Sequence, residues 1–303
     1  MASGDLGPEA QSMKKSIYFL VALAAAPAYA AESAPESRFH LFTTRCEAES
    51  DDGPEATPQS PPLAVDDPGT PGCNHWEINI VVDGDVTRSE RSLELPLLDV
   101  NYGIGDNIQL KYEVPYVSSR PTDADGVSAI GQSKAGVKYK FFEDDGSKLE
   151  LAVYPQMSFV GSSSDAVSKG LETSGTVTTL PLLMSMKLGE TSLGEVDLTA
   201  NAGYNLSGKV GVANYLSASA GVGTALSRRV ALMAGISTEQ AVSAVEDEKR
   251  KQVTRADLGV IAGLSRTFLL LGSIGHSIQA SDDLSHAYGL VGVRLNFNPR
   301  ESL

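Results

Sequence analysis

The sequence predicts an all-β protein, a closed antiparallel transmembrane β-barrel of about 12 strands. Three observations lead to this prediction. Segments of about ten residues alternate apolar and polar side chains, the connections between them alternate between short and long, and the N-terminal region has the pattern of an export signal. No apolar run after that region reaches the roughly 18 residues of a membrane-spanning helix, which excludes a helical membrane protein.

Residues 1–30 predict an upstream extension followed by a secretory signal peptide that starts at Met13. Two lysines precede an apolar run of about ten residues, IYFLVALAAA, and Ala28-Tyr29-Ala30 matches the small-x-small cleavage rule. We therefore expect a mature chain that begins at Ala31. The alternative is a soluble amphipathic N-terminal helix.

Residues 31–73 predict a flexible, acidic, proline-rich arm, because seven prolines interrupt the segment and acidic residues far outnumber basic ones. A solvated tail is favoured over a plug or a partner-binding arm. The chain's two cysteines, Cys46 and Cys73, predict a disulfide, since an exported chain meets an oxidising compartment. A metal site is the alternative, supported only by His75.

Residues 74–303 predict the barrel itself. Period-two segments are separated by Gly, Asp, Asn and Ser, and no stretch has helical periodicity over three turns. The predicted strands cover about 75–83, 90–102, 107–117, 132–142, 148–160, 174–188, 195–206, 214–226, 230–240, 253–264, 267–278 and 286–297.

The third strand, NIQLKYEVPYV at 107–117, shows the two faces most clearly. Leu110 and Tyr112 fall on an apolar face, and Lys111 and Glu113 fall on a polar one. In a membrane barrel the apolar face meets lipid and the polar face lines a lumen. A soluble sandwich is the alternative, and it would bury the apolar face between two sheets.

Connection lengths favour the membrane barrel over the sandwich. The short connections GIGD, EDDGS, GETSLG, SRR and SR alternate with longer ones near 118–131, 161–173, 207–213, 241–252 and 279–285. Outer-membrane barrels have short periplasmic turns and longer external loops. The closing strand ends at Phe297, which resembles the signal read by the barrel-assembly machinery. We therefore expect that machinery and outer-membrane lipid as partners.

Charged residues on the polar faces are the predicted lumen lining, and opposite charges there are expected to pair across neighbouring strands. A narrow path for a small-molecule solute is expected, with a sealed structural barrel as the alternative. The principal candidates are Lys111, Glu113, Lys138, Lys140, Glu150, Asp197, Arg255, Asp257 and Arg294.

Four prolines are candidate gaps in the wall. Pro96 and Pro115 are equidistant from the turn near Gly105, and Pro155 and Pro181 are equidistant from the loop near residue 168. Hairpin pairing brings each couple roughly opposite one another, and proline donates no ladder hydrogen bond. A weakened wall would offer an apolar solute a lateral exit, whereas a simple bulge would only bend the sheet.

No catalytic motif, cofactor or metal site is predicted. The nearest candidate pair for a barrel-embedded lipid hydrolase is His276 with Ser273 or Ser277. A net charge of −14 argues against a nucleic-acid partner. The function classes considered are therefore a channel, a structural or adhesive surface barrel, and a lipid hydrolase.

Three segments resemble the bacterial outer-membrane barrels of the family named for the MetA pathway of phenol degradation. They are DDPGTPGCNHWEINI at 66–80, ELPLLDVNYGIGDNIQL at 94–110 and AGVKYKFF at 135–142. The resemblance covers roughly residue 63 to the C-terminus, and the cysteine-bounded acidic segment departs from it. It implies an outer-membrane transporter of small solutes, hydrophobic or aromatic ones included.

Overall fold

We describe the fold from a computed structural model of the full chain. The described residues are 37–39, 44, 46, 56–60, 62–243, 251–281 and 286–297, and they belong to one compact unit, Pro35–Leu303. The predicted signal peptide lies outside the described residues. Among the described helices, none is both long enough and apolar enough to cross a membrane.

The described residues form fifteen strands and one short helix, in a single antiparallel sheet that closes on itself. The closing contact pairs the last strand with the second, from Ala287 opposite Val86 to Phe297 opposite Trp76. The elements are β1 (Ser37–Phe39), β2 (Trp76–Val86), β3 (Glu90–Ile104), β4 (Ile108–Pro121), β5 (Val127–Ile130), β6 (Ser133–Asp144), β7 (Leu149–Val153), β8 (Gln156–Val160), α1 (Asp165–Ser168), β9 (Gly175–Thr191), β10 (Gly194–Ser207), β11 (Tyr215–Ser227), β12 (Val230–Ala241), β13 (Gln252–Gly263), β14 (Phe268–Ala280) and β15 (Ala287–Phe297).

The wall of the barrel contains twelve strands, which confirms the predicted fold class. β5 and β6 follow one another along the same side of β4, and β7 and β8 follow one another between β6 and β9. Each pair therefore forms one interrupted wall strand. β1 is an additional strand that pairs with the end of β6 and lies outside the twelve.

The connections divide the barrel into a short-turn end and a long-loop end. Residues 105–107, 145–148, 192–193, 228–229 and 264–267 connect strands at the short-turn end. The opposite end carries 122–126, 161–174, 208–214, 242–251 and 281–286. The predicted alternation is confirmed except at 87–89, a short turn on the long-loop end. β2 begins and β15 ends at the short-turn end.

The apolar faces of the strands point outward. On β4, Leu110 and Tyr112 are 41% and 48% exposed. Gln109, the residue before Leu110 on the same strand, is 7% exposed and faces the interior. The outward side chains of β13 and β14, such as Leu258 and Ile274, are exposed in the same way. The two-sheet sandwich is therefore wrong, because its apolar face would be buried. An exposed apolar belt around a closed wall is the surface that contacts lipid.

Replacing Leu258 by arginine tests this outward belt. Leu258 lies near the middle of β13 and is 60% exposed. We expect L258R to destabilise the barrel by about 2–4 kcal/mol, since a charge near the bilayer midplane loses its hydration. Urea unfolding in lipid vesicles measures this. The matched control is V210R, because Val210 lies in the connection 208–214 and is 90% exposed. Equal stabilities of L258R and V210R would contradict lipid contact at Leu258.

Candidate functional site

The interior of the barrel is occupied by part of the chain that precedes β2. We call residues 56–60 and 62–73 the lumen segment. It starts at the short-turn end, where the Ala56 N–H donates to the Arg228 carbonyl at 3.2 Å. It returns to that end, where the Thr70 hydroxyl donates to the Asp106 carbonyl at 2.8 Å. The described part of the predicted arm therefore packs inside the barrel. We had expected this arm to be a tail exposed to solvent.

One side of the lumen segment packs on an apolar part of the wall. Ala56 and Leu63 belong to a buried cluster together with inward side chains of β2, β12, β13 and β14. The wall residues of this cluster are Val81, Ala231, Met233, Ile261, Leu269 and Leu271. This contact replaces water on both surfaces, which explains why a proline-rich stretch folds here.

Glycines on the inner face of β11, β12 and β13 make room for the segment. A Cβ atom added at Gly223 would lie 2.3 Å from Cβ of Pro58, and one added at Gly259 would lie 2.8 Å from Cδ2 of Leu63. A Cβ added at Gly235 would first meet Asp257 of the wall, at 2.4 Å from its Oδ1, and would only touch Leu63, at 3.4 Å from its Cδ1. Side chains at positions 223 and 259 would therefore occupy the volume that the lumen segment fills.

The other side of the segment is held by polar side chains of the wall. Lys138, which is 5% exposed, donates to the carbonyls of Asp67 and Gly69 at 2.7 and 2.8 Å. Asn201 accepts from the Asp66 N–H at 2.8 Å and donates to the Asp66 carbonyl at 2.6 Å. These bonds satisfy backbone groups that the segment would otherwise bury without partners.

Arg294 joins the lumen segment to the wall at a third point. Its guanidinium is fully buried, and it donates to the Ser60 carbonyl at 2.6 Å and to the Asn79 side chain at 2.9 Å. Glu77 lies 3.3 Å from the same guanidinium and balances its charge. A buried charge is tolerated only when it is paired and hydrogen-bonded in this way.

An ionic network continues from this point across the inner face of β2, β3, β4 and β6. Asn79 donates to Asp99 at 3.0 Å, and Lys111 lies 3.2 Å from Asp99 and 2.8 Å from Glu113. Lys134 then pairs with Glu113 at 2.8 Å. Ion pairs therefore connect β3, β4 and β6 on the inner face of the wall.

A small cavity remains between the lumen segment and this polar wall. Its volume is about 60 Å³, enough for one or two water molecules. Polar groups line most of it, including Gln59, Asp67, Glu77, Asp99, Asn101, Gln109, Lys111, Lys138 and Tyr154.

The remaining predicted lumen residues lie in separate local contacts. Lys140 pairs with Glu150 at 3.1 Å, and the Tyr288 hydroxyl donates to Asp257 at 3.1 Å. Asp197 is half-buried on the same face of β10 as Asn201 and is paired in register with residue 187 of β9. The structure does not bring these residues to the contact with the lumen segment.

Arg255 belongs to a polar group at the long-loop end that sequence analysis did not identify as a unit. It pairs with Glu239 at 3.3 Å and donates from Nε to Nε2 of His286 at 3.0 Å. Burial lowers the pKa of His286, which lies in the connection before β15, by more than the Asp85 carboxylate raises it. A neutral imidazole is the form that accepts the Arg255 hydrogen bond.

The first couple of candidate wall-gap prolines lies at an irregular part of the sheet. Pro96 falls within a register shift of the β3–β4 pairing, which is bounded by Glu94 and Leu97. Pro115 lies opposite Leu97 on β4. The sheet is therefore bulged at the first couple.

The second couple lies where the register is continuous. The Tyr154 N–H donates to the Pro181 carbonyl at 3.1 Å, and the Pro155 carbonyl accepts from the Val137 N–H at 3.0 Å. The ladder therefore continues past both prolines and lacks only the donors that proline does not have. A lateral gap remains a prediction, and its better-supported location is the first couple.

Cys46 and Cys73 form the predicted disulfide, with Cα atoms 5.4 Å apart. Cys73 follows Gly72, where the lumen segment contacts β3. Gly72 and Gly103 of β3 are so close there that a Cβ on Gly103 would lie 1.8 Å from the Gly72 carbonyl oxygen. Closing this loop restricts the unfolded chain, at a value of about 3–4 kcal/mol in the chain-entropy model. The disulfide thus ties residue 46 to the end of the lumen segment.

The hydrolase candidates are not brought together. Inward Ser277 is 7% exposed, whereas neighbouring His276 projects from the outer face of β14, as strand alternation requires. Ser273 also lies on the inner face. Among the described residues, no group of three or more His, Cys, Asp or Glu side chains is arranged to hold a metal ion.

Two solved structures of bacterial outer-membrane barrels are similar to this fold. The COG4313 outer membrane channel from Pseudomonas putida F1 is 12% identical, with a TM-score of 0.56 over 83% of this chain and 100% of that chain. The NanC porin is 11% identical, with a TM-score of 0.51 over 72% of this chain and 98% of that chain. No family model matches the chain, and no curated protein matches it. These similarities concern the fold.

Replacing Gly223 by alanine tests the packing of the lumen segment. The new methyl group would overlap Pro58, whose ring cannot turn aside, so we expect the segment to shift at a cost of about 1–3 kcal/mol. Limited proteolysis of the folded barrel measures the expected gain in cleavage within 56–73. G161A is the matched control, since a Cβ there meets nothing within 4 Å. Unchanged protection in G223A would contradict this position of Pro58.

Proposed function

We propose that this protein is a bacterial outer-membrane channel for small solutes, hydrophobic or aromatic ones included, and that the lumen segment controls passage. The observation that carries the proposal is a closed wall with an apolar outer belt whose interior holds a segment that enters and leaves at one end. In the orientation usual for outer-membrane barrels, the short turns face the periplasm and the long loops face the outside of the cell. The similarity to two outer-membrane barrels of known fold supports it.

The size of the cavity beside the lumen segment supports control by that segment. About 60 Å³ is far below the several hundred Å³ of pockets that hold small organic molecules. An aromatic solute that passes this part of the lumen therefore requires the segment to move. Its contacts with the wall are a few hydrogen bonds and one apolar patch, so the two can separate without breaking the sheet.

The solute class is inferred from the wall that the segment covers. When Leu63 leaves, the inward side chains of Met233, Ile261 and Leu269 face an open lumen. An apolar strip beside an ionic wall suits solutes with an apolar body and few polar groups. The bulge at Pro96 is the proposed lateral exit to the membrane. We also propose membership of the MetA-pathway family, because the segments 66–80, 94–110 and 135–142 resemble its members.

Two other functions remain as alternatives to the channel. A structural or adhesive surface barrel would have the same wall, but its lumen segment would serve as a permanent filling. A lipid hydrolase would need a nucleophile and a base on one face, whereas His276 and Ser277 point to opposite faces of β14. We propose that the protein is not an enzyme.

Deleting residues 57–71 separates the channel from the structural barrel. We expect a several-fold higher ion conductance in planar bilayers than for the unmodified protein, because the deletion empties the lumen and leaves the wall intact. The control deletes 165–170, a stretch of the long-loop end that includes α1. Equal conductance of both deletion variants and the parent would contradict a path through this lumen.

A solute assay on the same variants tests the proposed cargo. Liposomes that contain the 57–71 deletion variant should swell faster in a small phenolic solute than in a sugar of similar mass, since the exposed strip is apolar. Equal swelling rates for the two solutes would contradict the preference for apolar cargo. Heat-modifiable gel mobility checks that each variant is a folded barrel.

A further inference from the structure

Two arginines face each other on the outside of the barrel near its long-loop end. Arg91 of β3 and Arg120 of β4 are directly opposite in the register of these strands. The next pair along, Ser92 and Ser119, faces inward, because the buried Ser119 hydroxyl donates to Glu90 on the lumen side. Strand alternation then directs Arg91 and Arg120 outward.

This pair stands just beyond the apolar belt. On β3 the outward residue before Arg91 is Leu93, which is exposed, and on β4 the outward series runs from Tyr116 through Ser118 to Arg120. Tyrosine marks the boundary between hydrocarbon and headgroups in membrane barrels. The two guanidinium groups are therefore at headgroup height when the apolar belt is in lipid.

Among the described residues, no protein group balances their charge. Within the part of the chain that the structure describes, the side chains of Arg91 and Arg120 make no ion pair or hydrogen bond, and neither does that of Arg88 in the adjoining turn. The carboxylates of the neighbouring turn, Asp123 and Asp125, form no ion pair with them. Like charges directly opposite in a sheet are destabilising, at side-chain separations of about 5 Å.

We propose that Arg91 and Arg120 bind a phosphate group of a phosphorylated glycolipid in the outer leaflet. Two guanidinium forks side by side match the oxygens of a phosphate and would turn the repulsion between them into attraction. The exposed Leu93 and Tyr116 would contact the acyl chains of the same lipid. The identity of the leaflet rests on the proposed function, which puts the long loops outside.

Binding of diphosphoryl lipid A to the purified full-length barrel in a zwitterionic detergent tests this site. We expect R91Q/R120Q to bind about tenfold more weakly or worse than the parent, because charge-assisted hydrogen bonds are lost. R91K/R120K should keep part of the affinity, since it retains the charges without the planar forks. Affinity of the parent should fall as salt is raised.

Controls make the result specific to the arginine pair. K148Q removes an exposed cation at the short-turn end and should leave lipid A binding unchanged. Dephosphorylated lipid A should not distinguish the parent from R91Q/R120Q. Equal affinity of the parent and R91Q/R120Q for diphosphoryl lipid A would overturn the site. Arginine-dependent binding by a barrel that conducts nothing would support the site and count against the channel, so the two proposals fail separately.

Discussion

Closure of the sheet is the constraint on which the rest of this structure depends. Lipid offers no hydrogen-bonding partner, so each wall strand needs a neighbour on both sides, and the β15–β2 pairing supplies the last one. Once the ring is closed, strand alternation assigns every side chain to lipid or to the lumen. The exposed Leu258 and Ile274 and the enclosed Lys138 and Arg294 are two results of the same geometry.

Closure also creates an interior that the chain must fill. Twelve strands enclose more space than side chains alone occupy, and this protein places a segment of its own chain in that space. The segment is accommodated differently on its two sides. Glycines and aliphatic residues receive Pro58 and Leu63, while Lys138 and Asn201 satisfy its carbonyl and amide groups. Several charged residues of the wall pair with one another, as Lys111 and Glu113 do.

Sequence patterns predicted the wall well and its contents poorly, for a physical reason. A period of two is local, so Leu110, Lys111 and Tyr112 reveal their faces without knowledge of any neighbour. The lumen segment has no such period, and its prolines and carboxylates resemble those of a solvated tail. Its position depends on partners far away in sequence, such as Asn201 and Asp66. Inward glycines at 223 and 259 were the available signal, because a missing side chain on the inner face leaves room for another segment of the chain.

The path of the lumen segment has a topological consequence. Ala56 contacts Arg228 and Thr70 contacts Asp106 at the same end of the barrel, so the segment is a loop inserted from that end and does not pass through the barrel to the other end. Such a loop can leave and re-enter the barrel without a chain end passing through the ring of strands. Repeated exit and re-entry of the segment then meets no threading barrier. Throughout, the Cys46–Cys73 disulfide keeps the C-terminal end of the segment tied to residue 46.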